Sequence, residues 1–87
     1  MDHLVEDVIG PVLEYDQLRW AELTRTLETF LTCHRDPEHT ARTLGVHPTT
    51  LARRLDRIDE LLGPTWRDPA PAREIQFALL SQRIGLP

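Results

Sequence analysis

Two helix-start signals, Asp36-Pro37 and His47-Pro48, flank Gly45 near the middle of this chain. Proline is at ease at the first helical position, where its missing N–H would have had no intrahelical acceptor. Gly45 supplies the left-handed residue that ends the first of the two helices, and Val46 is a small apolar plug for the corner. A turn this short forces two helices to cross steeply, which requires a small residue at the crossing and apolar anchors behind it. Ala41, Gly45, Val46, Leu51 and Leu55 occupy those places. The spacing predicts a short helix from Pro37 to about Leu44. A second helix, of about fifteen residues, carries Leu51, Leu55, Ile58 and Leu62 on one face and stops at Gly63-Pro64.

Elsewhere the apolar residues recur at helical intervals, and no stretch alternates as a half-buried strand would. Leu4, Val5, Val8 and Ile9 predict a short helix over 3–9, ended by Gly10-Pro11 because proline disfavours helical geometry in the residue before it. Asp16 reads as the cap of a long helix over 17–33, with Trp20, Leu23, Leu27, Phe30 and Leu31 on its apolar stripe. That stripe suits either the core or a dimer seam. His34 and Arg35 stand at its C-terminal end. Asp68, with Pro69 and Pro71 in the first turn, opens a last helix over 69–84 that carries Ile75, Phe77, Ala78, Leu79, Leu80 and Ile84. Trp66 either folds back over the core or pads a subunit contact. The expected fold class is all-α, a compact bundle of four to five helices containing a helix-turn-helix over 37–62. With 87 residues there is room for one core, so 1–87 is read as a single helix-turn-helix domain.

Several function classes are disfavoured. No apolar run approaches the roughly 18 residues of a membrane span, and Met1 to Glu6 lacks the basic start of a secretory signal, so no membrane association and a cytoplasmic location are expected. Cys33 is the sole cysteine, which rules out an intrachain disulfide. Cys33, His34 and His39 lie close in sequence but lack a fourth ligand, so no metal is expected. Glu14, Asp16, Glu22 and Glu28 read as one solvated acidic helix side, and no nucleophile has an evident base beside it. The expectation is a protein that is not an enzyme and needs no cofactor.

The formal net charge of −4 opposes nucleic-acid binding at first sight, since affinity comes largely from cations that neutralise phosphates. Charge is segregated, however. Seven acids face two arginines in 1–31, whereas five arginines face three acids in 32–58. If Leu51, Leu55, Ile58 and Leu62 point inward, a rotation of 100° per residue turns Thr49, Arg53 and Asp56 outward. Thr50, Arg54 and Arg57 then lie on one flank. Because the N-terminal part of a recognition helix touches base edges, Thr49, Thr50 and Arg53 are the candidate base contacts. Arg42, Arg54 and Arg57 suit phosphates. His47 suits a helix cap or a phosphate contact. A bidentate arginine–guanine contact contributes about 1 to 3 kcal/mol of discrimination.

The run Val46-His47-Pro48-Thr49-Thr50-Leu51-Ala52-Arg53-Arg54-Leu55-Asp56-Arg57-Ile58-Asp59-Glu60-Leu61-Leu62-Gly63 resembles the C-terminal helix-turn-helix of the PucR/CdaR family of bacterial transcriptional regulators. The likeness extends upstream to Gly10–Asp16 and Leu27–Leu31, and downstream to Asp68-Pro69 and Ile75–Leu79. A weaker likeness exists to the Fis-type helix-turn-helix. Departures fall in the recognition helix, where Pro48 replaces the usual Arg, Thr49 the usual Asn, Ala52 a frequent Arg and Arg53 the usual Tyr. The resemblance therefore implies binding of double-stranded DNA in transcription regulation, with a sequence preference of its own. It also implies an effector-sensing region upstream in a longer parent. Because one helix-turn-helix reads a short half-site, a homodimer is expected. The alternative is a protein-interaction or dimerisation module that keeps the fold, docks through its acidic first half and does not bind DNA.

Overall fold

In the computed structural model, which describes residues 4–19 and 22–85, the first helix does not stop at Gly10-Pro11. Helix α1 spans Leu4–Arg19 with Pro11 inside it, in place of the short helix expected over 3–9. An interior proline removes one backbone bond and crowds the preceding turn, at a cost of about 3 kcal/mol. Ile9 and Val12, on either side of it, are fully buried. Burying two such side chains stabilises by about 1.5 to 3 kcal/mol each, so tertiary packing outweighs the local penalty.

The long helix expected over 17–33 is correspondingly divided. Helix α2 spans Leu23–Thr32, and Glu22 before it adopts a left-handed conformation (φ 56°). Asp16 still caps, but from a distance. It lies within α1, and its two carboxylate oxygens accept from the amides of Leu23 (2.7 Å) and Thr24 (2.8 Å), the first turn of α2. Leu23, Leu27, Phe30 and Leu31 of the expected stripe are buried, whereas Trp20 lies outside the described residues.

Helices α3 (Pro37–Leu44) and α4 (Pro48–Leu62) follow the sequence reading closely. After Gly63 a 3-10 turn, Pro64–Arg67, folds Trp66 over the core. Its ring is 2% exposed, lies 5.7 Å from Phe30 between centroids, and donates from Nε1 to Asp59 Oδ1 at 2.5 Å. The indole thus buries its area without orphaning its polar atom.

Helix α5 spans Pro69–Arg83. Asp68 stands at its N-cap position, yet its side chain makes no cap bond. Pro71, at the third helical position, has no amide, so of the two amides that a cap side chain can accept from, only that of Ala70 is left. Ala72, Ile75, Ala78 and Leu79 face the core, but Phe77, Leu80 and Ile84 are more than half exposed. The five helices enclose one cluster of buried side chains drawn from all of them. No strand occurs among the described residues, and the fold is all-α. No helix among them is long and apolar enough to cross a membrane.

Candidate nucleic-acid interface

The geometry of the site begins with two caps and a turn. The Asp36 carboxylate accepts from the amides of Glu38 (3.0 Å) and His39 (3.3 Å), which fixes the start of α3. At its end Gly45 takes φ 70°, so that Gly45 N–H bonds to Arg42 O and Val46 N–H to Ala41 O. These two bonds form the 5→2 and 6→1 pair of a Schellman motif. No neighbouring atom would touch a Cβ at Gly45, so its requirement there is conformational alone. His47 then caps α4 with Nδ1 accepting from Thr49 N–H at 3.1 Å. Because Nδ1 is the acceptor, the imidazole proton sits on Nε2, which leaves a donor on the exposed edge of the ring.

Behind this frame Ala41, at the crossing, is 3% exposed, and Leu51, Leu55 and Ile58 are buried. Thr40 is fully buried as well and returns its hydroxyl to Asp36 O at 2.7 Å. The inward face is therefore the one the spacing required, and Thr49, Arg53 and Asp56 are exposed. Arg53 makes no hydrogen bond or ion pair with any described residue. Asp56, one turn further on, places negative charge on the same face. On the side toward α3, Pro48 and Ala52 line an apolar recess of about 360 Å³ with Pro37 and Leu51.

The other arginines are partly engaged. Arg42 reaches Glu38 at 4.0 Å along the exposed surface of α3. Arg57 pairs with Glu60, and its guanidinium stands 5.4 Å from the centre of the Tyr15 ring. Arg54 is different. It donates to Thr26 Oγ1 at 3.2 Å, lies 3.8 Å from the Glu22 carboxylate, and has a side chain only 22% exposed. Thr50, beside it on the flank, is half-buried. The structure thus brings His47, Thr49, Thr50 and Arg53 together at one end of α4 and turns Arg54 back onto α2. Glu22 and Thr26, which hold Arg54, carried no sequence signal for that task. Their role depends on the left-handed corner before α2, which no local pattern announces.

Two helices crossing through a glycine turn, the second capped and presenting polar side chains outward, define a helix-turn-helix domain. A family model described as the PucR C-terminal helix-turn-helix domain matches residues 23–81. The chain belongs to that family, whose members are transcription regulators and not enzymes. It is similar to the purine catabolism regulatory protein of Bacillus subtilis (strain 168), with 37% identity over 62 residues. The match covers 71% of this chain and 12% of the relative's length. No solved structure matches the chain.

Proposed function

We propose that the chain binds double-stranded DNA by placing the N-terminal half of α4 in the major groove, as the output domain of a transcription regulator. The observation that carries this reading is Arg53, an exposed and unpaired guanidinium on the outward face of a rigidly capped helix. A planar fork held in that way matches the two acceptors on guanine. Thr49 and Thr50 stand beside it for further base contacts. Arg42, the Nε2–H of His47 and Arg57 serve phosphates, with Arg57 exchanging Glu60 for the DNA backbone.

Arg54 takes a different part from the phosphate contact expected of it. Its bonds to Thr26 and Glu22 tie α4 to the corner between α1 and α2, so it sets the angle at which α4 leaves the body of the domain. One such helix reads only a short half-site, and two copies on a two-fold operator supply the affinity that a single copy lacks. An upstream effector-sensing region belongs to the same reading, since the matched relative is a much longer protein whose name describes regulation of purine catabolism.

The test is selection of bound fragments from random and genomic duplexes at two salt concentrations. The proposal expects enrichment of a short, two-fold symmetric motif and an affinity that falls steeply with salt. Absence of binding at low salt, together with salt-insensitive docking to another protein domain, favours the interaction-module alternative.

A further inference from the structure

The end of α2 breaks a local stability rule twice in succession. Arg35 N–H bonds to Phe30 O (2.8 Å) and His34 N–H to Leu31 O (3.2 Å), again a Schellman pair. Here the left-handed positions are filled by His34 (φ 56°) and Arg35 (φ 63°), where glycine would carry no penalty. Two strained residues in a row, both bearing nitrogen-rich side chains, mark a place where side-chain identity outweighs backbone ease.

Both residues line the same cavity, about 560 Å³ between the last turn of α2 and the first turns of α5. Arg73 and Gln76 line it from α5, Thr32 adds a hydroxyl, and its remaining walls are apolar. No carboxylate lines it, although the chain carries 14 acids and a net charge of −4. Arg35 is held in place by donating from one terminal nitrogen to Arg67 O at 2.8 Å, which leaves the rest of its guanidinium free for a ligand. Arg73 has no described partner. Arg67 itself is turned away, toward Asp59 and the Phe30 and Trp66 rings. Three of the last carbonyls of α2 are already paired, since Thr29, Phe30 and Leu31 accept from Cys33, Arg35 and His34. The positive end of the α5 dipole lies on the opposite wall.

We infer that this cavity binds a phosphate group, with Arg35 and Arg73 supplying charge and planar donors and with His34 and Gln76 completing the site. The phosphate comes either from the DNA backbone beyond the half-site or from a free phosphorylated ligand. The inference does not depend on the role given to α4, because the site is complete within the chain and is testable without DNA.

The experiment titrates inorganic phosphate into the full chain and follows the amides of residues 32–36 and 72–76 and the Arg73 Nε–H by NMR. Saturable shifts in the wild-type chain are expected, weakened about tenfold in Arg73→Gln, the loss of one charge-assisted contact. His34→Gly is the decisive variant. It relieves strain, so it raises the midpoint of urea unfolding while it weakens phosphate binding, an outcome that no purely structural role for His34 produces. Shifts that never saturate, or variants that titrate like the wild type, overturn the proposal. A second arm separates the sources. If Arg73→Gln lowers the slope of log affinity for duplex DNA against log salt by about one, the phosphate belongs to the DNA backbone; an unchanged slope, with phosphate binding lost, assigns the site to a free phosphorylated ligand.

Discussion

Two adjacent arginines of α4 stand in opposite environments. Arg53 is exposed and unpaired, whereas Arg54, 100° around the helix, is drawn onto Thr26 and Glu22. Arg53→Ala should change stability by less than about 0.5 kcal/mol, as is usual for a surface change that touches nothing. Arg54→Ala should cost about 1 to 2 kcal/mol, because it removes a charge-assisted bond to a buried hydroxyl. Urea denaturation of the two variants reads this contrast directly. Equal effects would contradict the division of roles. Asp16 carries a third residue-scale expectation. Its two short bonds to the start of α2 make Asp16→Ala worth about 1 to 2 kcal/mol of destabilisation by the same measurement, although the residue sits in a different helix from the one it caps.

At the scale of the element, the helix-turn-helix was legible because its signals are local. Asp36-Pro37, Gly45, His47-Pro48 and Gly63-Pro64 each act within a few residues, and the bounds of α3 and α4 follow from them. The corner between α1 and α2 was not legible for the opposite reason. Pro11 predicts a stop that the burial of Ile9 and Val12 overrides, and Asp16 caps amides seven and eight residues away. Asp68 misleads in a third way, since it takes the N-cap position without a side-chain bond, and Pro71 removes one of the two amides it could have bound. Of the candidate site, the outward face was predictable from periodicity, but the capture of Arg54 depends on where Glu22 stands. The turn carries its own prediction. Gly45→Ala should destabilise by about 1 to 2 kcal/mol with no steric clash, because φ 70° is costly for any side chain and the space around it is empty. A denaturation midpoint unchanged from wild type would show that the turn relaxes to another conformation.

For the molecule as a whole, an acidic domain that approaches DNA must present its positive face and keep its acids behind. Seven of the 14 acids fall in 1–31, most of them on α1 and α2, whereas 32–58 carries five arginines against three acids. The acids that share α3 and α4 with these arginines, Glu38, Asp56 and Glu60 among them, limit the number of phosphates neutralised. A salt slope of only a few units per domain is therefore expected, small beside that of a strongly basic binder. The exposed Phe77 and Leu80 of α5, with Ile84 just after it, lie apart from α4 and leave that helix free to enter a groove.

The central claim is that the first two turns of α4 read base sequence, and the measurement that tests it most directly compares the selected site preferences of the wild-type chain and Arg53→Ala. The account predicts a loss of about 1 to 3 kcal/mol in affinity for the preferred site, with discrimination relaxed at one base position in each half-site and retained elsewhere. An Arg53→Ala chain that selects the same motif with undiminished affinity would contradict it.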